Sequence, residues 1–272
     1  MIKNDISNIV AITVKNMKVK FRNWQTYLFA FGFPLFFTFI FFPIFGLDPI
    51  PGTDYRIFDL AIAGMFVYAA SFGITNASTA LCGEKDKGML VRLDTTPIGR
   101  RKIFIGTLLS ELVFLTLQLL MMFIIAYAIL RLYWYNYDPF LLIFGFGLML
   151  IFGFACVGIG IVISSYAKST DVAVGISLMI VMPMVFMSGA LMPLDWPIIY
   201  FMLPFYPFQI YRQVVVLGEN FWFDCFKLGG IDVFNAQPFF NIPIWGAFLF
   251  TIGYTILFIL VGIYLFQKKT LS

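Results

Sequence analysis

The sequence predicts an all-α membrane protein with six transmembrane helices, and three observations carry that expectation. Hydrophobic residues make up 61% of its 272 residues and charged residues only 12%, about half the charge of a soluble domain. Six apolar stretches are each long enough, at roughly 20 residues, to cross a hydrocarbon core of about 30 Å as helix. The third observation is the sidedness of the cations. With the N-terminus inside, all but four of the 18 Lys and Arg fall on the cytoplasmic side: Lys3, Lys15, Lys18, Lys20 and Arg22 before the first span, Lys85, Lys87, Arg92, Arg100, Arg101 and Lys102 between spans two and three, then Lys168, Lys268 and Lys269. Arg56, Arg131, Arg212 and Lys227 remain outside, so both termini are expected to be cytoplasmic. Barrel strands would be about ten residues long and alternate in polarity, and none of these runs alternates over its length.

Residues 1–23 place Ile2, Ile6, Ile9, Val10, Thr13, Val14 and Met17 at helical spacing, with Lys15 and Lys18 among the polar positions. That pattern predicts an amphipathic helix on the cytoplasmic leaflet, its cations toward headgroups; the plainer reading is a solvated basic tail. The spans follow at about 24–45, 59–81, 103–130, 139–165, 172–192 and 244–266. Span one is Phe-rich and interrupted by Pro34 and Pro43. Span two is unusually polar, with Ser71, Thr75, Asn76, Ser78 and Thr79; these either line an inner cavity or simply pack helices. Spans four and five are joined only by residues 166–171, which predicts a tight antiparallel hairpin. The outer segment 193–243 is rich in aromatics and Pro, too apolar to be solvated and too interrupted to span. Short re-entrant or interfacial helices fit it, with Asp195, Glu219, Asp224 and Asp232 at a wet rim.

The 82–102 loop differs from an ordinary short connection. Dense charge at Glu84, Lys85, Asp86 and Lys87 is followed by Gly88, and then Met89, Leu90 and Leu93 form an apolar set, with Arg92 and Asp94 between. Thr96-Pro97 stops the run, because Pro disfavours helix at the residue before it. A solvated loop has no use for that apolar set, so a short amphipathic helix that docks a partner is expected. Glu111 lies nine residues beyond Lys102, roughly 13 Å into span three, where an ionised side chain needs a partner. Three readings are open: a structural pair with a cation such as Arg100 or Arg22, force transmission through that pair, or substrate contact. Gln118, two turns deeper, is expected to hydrogen-bond between helices.

The series Glu84-x-Asp86-x-Gly88-x-Leu90-x-x-Leu93-x-x-Thr96-Pro97, ahead of the basic Arg100-Arg101-Lys102 turn, resembles the loop of ABC-2 type transporter permeases. Met89 and Val91 stand where that family usually has Thr and an acidic residue. Met187-Ser188-Gly189, followed by Pro193, resembles its Ser-Gly…Pro element, and Phe205-Tyr206-Pro207-Phe208 sits where it has an aromatic/Asn-Pro turn. The resemblance covers the whole chain as one domain, 1–272, and looks closest to the daunorubicin-resistance and nodulation-type permeases. It implies the transmembrane half of an ATP-driven exporter in the cytoplasmic membrane, paired with a second permease copy, identical or paralogous, and with two ABC ATPase subunits. Glu84, Asp86, Gly88, Leu90, Arg92, Leu93, Thr96, Pro97 and Arg100 would form the ATPase-coupling loop, and Glu111 with Arg22 would transmit force. Because spans one, two and five line the dimer interface in that family, Phe33, Phe37, Asn76, Met184, Phe186 and Met187 would contribute to a substrate path. An apolar, Met-rich path suits amphipathic or lipid-like cargo, whether drug, lipid or lipid-linked glycan.

No G-x-x-x-x-G-K-[ST] occurs, so ATP and Mg are expected on the partner ATPase and no catalytic or metal site on this chain. With 35 Phe and no His, imidazole bases, ligands and proton switches are excluded. Cys82, Cys156 and Cys225 match neither a metal spacing nor a disulfide framework. The rivals are a secondary transporter or channel not driven by ATP, an intramembrane enzyme, and a scaffold. The first would want repeated halves with midplane ions, the second a nucleophile with its base, and the third leaves the loop helix unexplained.

Overall fold

A computed structural model describes residues 2–22, 31–44, 48–50, 52, 54–86, 100–189, 197–225, 242–266 and 268. Every named element is helical: α1 (Ile2–Arg22), α2 (Phe33–Ile44), α3 (Ile57–Ser71), α4 (Gly73–Asp86), α5 (Arg100–Ile124, continued by a π-helical turn at Ile125–Ile129), α6 (Pro139–Tyr166), α7 (Thr170–Phe186), α8 (Phe205–Ile210, continued by a π turn at Tyr211–Val216) and α9 (Ile244–Phe266). Single 3-10 turns occupy Tyr135–Tyr137 and Pro197–Phe201. Among the described residues, four stretches are long and apolar enough to cross a membrane: Ile57–Glu84, Lys102–Ile129, Pro139–Tyr166 and Ile244–Phe266. The first and fifth expected spans are shorter apolar helices within the described residues, each with an internal proline, Pro43 and Pro183. The fifth stops at Phe186 rather than 192. Met187 N–H bonds back to the Pro183 carbonyl (2.8 Å) and Gly189 takes a φ of +74°, a left-handed turn that glycine adopts at little cost.

Central to the bundle is α6, which packs along α9 and α4 and touches α3 and α5. Apolar side chains cannot drive helix association in lipid, so close backbone approach through small residues does. A Cβ on Gly160 would stand 2.5 Å from the Ile74 carbonyl oxygen, and one on Gly158 would stand 2.8 Å from the Ile259 nitrogen. Across the same seam Gly262 meets the Gly158 carbonyl, and Gly153 takes the Leu115 side chain. Polar side chains add interhelical bonds: Gln118 Nε2 donates to the Ala69 carbonyl (3.0 Å), the Ser78 and Ser177 hydroxyls are 2.7 Å apart, and Thr255 reaches the Ile151 carbonyl (3.2 Å). The Gln118 expectation therefore holds.

Asp138 caps α6 by accepting from Phe140 N–H (2.9 Å), with Pro139 in the first turn, and Ser169 caps α7. Only Ala167–Ser169 separate the two helices, as the short link required, yet the expected tight hairpin opens. α7 lies chiefly along α4 and touches α6 far less, because the Ser78–Ser177 bond and the small side chains of α4 draw it there.

Sidedness is internally consistent. Phe104 at the start of α5 stacks on Phe266 at the end of α9, centroids 4.5 Å apart, so the 82–102 loop and the C-terminal end of the last span share one end of the bundle. At the opposite end Asp59 accepts from the Arg56 guanidinium (2.9 Å) and from Tyr133 N–H (3.2 Å), while Arg56 also donates to the Arg131 carbonyl (3.0 Å).

Candidate functional site

The polar residues of the loop end converge on one seam. On α1, Ile9, Ile12, Thr13, Asn16, Met17 and Lys20 are among the residues turned inward, a stripe of i, i+3, i+4, i+7, i+8 spacing laid along the first half of α5. Gly106 permits the approach: a Cβ there would stand 2.8 Å from Ile12 Cβ. Thr13 Oγ1 then donates to the Gly106 carbonyl (3.1 Å). One turn on, Asn16 Nδ2 donates to Glu84 Oε1 (3.1 Å) and lies 3.0 Å from Thr107 Oγ1. Thr107 is itself bonded to the Glu84 carboxylate at 2.9 Å. One turn further, Lys20 pairs with Glu111, its ammonium 4.5 Å above the Phe114 ring. Contacts advance together along both helices (13 with 106, 16 with 107, 20 with 111), so α1 runs parallel to α5.

Glu111 is 2% exposed and only its Oε2 is bonded. Its partner is Lys20, a cation of the N-terminal helix as expected, though Lys20 rather than Arg22. Arg22 is two residues beyond Lys20, about 200° round the helix, and is exposed. Glu84, expected on the docking surface, is turned inward in the last turn of α4. Gly88, Leu90, Arg92, Leu93, Thr96 and Pro97 lie outside the described residues, as do the side chains of Asp86 and Arg100. Asn16, Thr107 and Lys20 were not singled out from the sequence. The available signal was Thr13, Asn16 and Lys20 on one face of α1, and Thr107 with Glu111 at i, i+4 on α5.

The second face of α1 places Val10, Val14 and Phe21, each about half exposed, beside this seam. Lys18 and Arg22 follow next round the helix and are exposed. α1 thus carries in turn a protein face, an apolar face and a cationic face, an order that suits amphipathic contact with lipid along a helix that runs parallel to α5. That order revises the expected apolar stripe, because Ile9, Thr13 and Met17 meet α5 while Val10 and Val14 do not.

The residues expected along a path are scattered over three helices. Phe37 packs edge-on against Tyr68 (5.7 Å), and Phe33 is more exposed. Met184 is turned inward, Phe186 outward, and Met187 is half-buried just beyond α7. Thr75, Asn76 and Thr79 form a half-open polar stripe on α4. Thr79 bonds back to the Thr75 carbonyl (2.8 Å), while Asn76 Nδ2 has no hydrogen-bond partner.

The family model for ABC-2 type transporters matches residues 7–216, from α1 through the π turn that continues α8. The chain belongs to the ABC-2 type transporter family. It is thus a multi-pass membrane component of an ABC transporter, a permease of the kind that pairs with ABC ATPase components. No curated protein matches the chain. Within this ABC-2 permease the matched region contains the whole α1–α4–α5 seam and the 87–99 segment that leaves from it.

Proposed function

We propose that this ABC-2 permease is the transmembrane half of an ATP-driven exporter, working as a pair of permeases with two ATPase subunits in the cytoplasmic membrane, both its termini on the ATPase side. The observation that carries this reading is the position of the polar seam. Glu84 sits at the root of the 87–99 segment and is tied at once to α5 through Thr107 and to α1 through Asn16. The 87–99 segment docks on the ATPase through Met89, Leu90 and Leu93, and the ATPase holds the ATP and Mg. Closure of the ATPase pair pushes that segment, Glu84 hands the displacement to α5, and the Lys20–Glu111 pair makes α1 follow as a rigid body.

Cargo moves along the half-open stripe of Thr75, Asn76 and Thr79, flanked by Phe33 and Phe37 on α2 and by Met184, Phe186 and Met187 on or just past α7. A path with one polar stripe among aromatic and thioether walls suits an amphipathic molecule more than a bare glycan. A tagged pull-down from native membranes is expected to recover a P-loop ATPase in about equal amount. Leu90→Asp with Leu93→Asp should leave the chain inserted and abolish that recovery. Recovery of the wild-type chain alone, in detergent that keeps it folded, would overturn the reading in favour of a transporter not driven by ATP.

A further inference from the structure

The outer re-entrant helix holds a charge that the seam and the path do not use. All of α8 and its π turn, residues 205–216, are buried. Its depth follows from two contacts with α9. Tyr254, ten residues or about 15 Å from the outer end of α9, donates to the Leu203 carbonyl (3.2 Å), whereas Trp245 N–H reaches the Phe221 carbonyl (3.1 Å). The helix therefore begins near mid-membrane and climbs to the outer rim. There Trp222, 83% exposed, meets Trp245 with ring centroids 6.0 Å apart, the aromatic marker of a headgroup boundary.

Arg212 lies in the upper half of this climb. It is 5% exposed, its guanidinium is 4.9 Å from the Phe208 ring centroid, and its Nε has no hydrogen-bond partner. Among the described residues no carboxylate pairs with it. The contrast with two cations that are only partly buried is plain, since Lys20 has Glu111 and Arg56 has Asp59. One turn earlier on the same face, Gln209 is 4% exposed and its Oε1 also lacks a partner. An uncompensated buried cation costs several kcal/mol, and intramembrane charges of this kind mark ligand routes. The π turn that carries Arg212 is itself a local distortion of the sort found at functional sites.

We propose that Arg212 and Gln209 form a seat for the phosphate of an amphiphile, reached from the outer headgroup layer. The guanidinium fork matches two phosphate oxygens, and the orphaned Gln209 Oε1 accepts from a hydroxyl of the headgroup. The apolar part of the ligand lies toward exposed Phe201 and the membrane. Two sources carry the same group: a phospholipid of the bilayer, or the exported molecule itself. The second source rests on the exporter reading; the first does not.

The test uses the full chain, purified with its bound ATPase, and dioleoyl phosphatidylglycerol against phosphatidylcholine as probes. Non-denaturing mass spectrometry should show the wild type retaining phosphatidylglycerol in preference. Arg212→Gln should lose about tenfold of that retention, the scale of a charged hydrogen-bonded contact, and Arg212→Lys should fall between. If the seat holds a bilayer lipid, retention is the same with and without ATP. If it holds cargo, phosphatidylglycerol stimulates ATP turnover in the wild type alone and is released during turnover. Arg212→Met guards against misfolding: it should melt no lower than wild type in lipid-free detergent, while phosphatidylglycerol raises the Tm of wild type only. Equal retention by Arg212→Gln, no headgroup preference in the wild type, or a collapse of Arg212→Met without lipid would each overturn the proposal. So would conversion of Arg212→Gln from dimer to monomer with lipid binding unchanged, which would assign the charge to a partner copy.

Discussion

Lys20 and Glu111 are each almost removed from solvent, and in that setting the pair and its halves behave differently. Removing one member leaves a buried charge without compensation, so Lys20→Met alone should destabilise the chain by about 3–5 kcal/mol. The double variant Lys20→Met with Glu111→Leu should recover most of that loss, since an apolar pair of similar volume is often as stable as the ions it replaces. Thermal melting in detergent measures both. ATP turnover in the complex then separates packing from coupling. If the pair carries displacement from α5 to α1, the double variant melts like wild type but loses substrate-stimulated turnover, and unchanged stimulation would reduce the pair to packing. Glu111 was visible in the sequence as a carboxylate too deep to be unpaired. Its partner was not, because choosing Lys20 over Arg22 depends on which face of α1 meets α5. That face is set by Gly106, about ninety residues away, where the missing Cβ allows Ile12 to approach.

Among the helices, the seams around α6 are where shape decides stability. A valine at Gly160 would drive its side chain into the Ile74 carbonyl, and overpacking of this kind costs about 1–3 kcal/mol or more. Gly160→Val is therefore expected to lower the Tm and the folded yield. Gly253 is the control: nothing lies within 4 Å of its Cβ position, so Gly253→Ala should melt at or above wild type, by up to about 1 kcal/mol of helix propensity. Spans two, three, four and six were legible because an apolar run of sufficient length is itself the physical requirement for crossing a membrane. The direction of α7 was not, since a short link constrains only where the next helix starts, and a single Ser78–Ser177 contact settles where it lies. Arg212 was illegible for a related reason. In the sequence it counted as one more outer cation, and its lack of a counter-charge is a property of everything folded around it.

At the scale of the whole molecule, α7 turns a wide apolar face outward: Val172, Ile176, Met179 and Ile180, with Met179 79% exposed. The proposed pairing of two permeases puts this face at the twofold axis. Met179→Cys should then form an oxidised dimer in membranes, whereas Leu260→Cys on the outer face of α9 should not. The three native cysteines are buried and leave a low background. Failure of Met179→Cys to cross-link would make this face a lipid contact. The tight backbone seams have a mechanical corollary. Glycine contacts at 158, 160 and 262 bind α9 and α4 to α6 at carbonyl distance, a joint with almost no slack. α2 touches mainly α3, and α7 mainly α4, each through side chains that can re-pack. Spin labels on α6 and α9 should accordingly keep one narrow distance through an ATP cycle, while a label on α7 measured against α9 should broaden or split. The permease would then work less like a hinge than like a lathe, a stiff bed with two tool posts that slide along it.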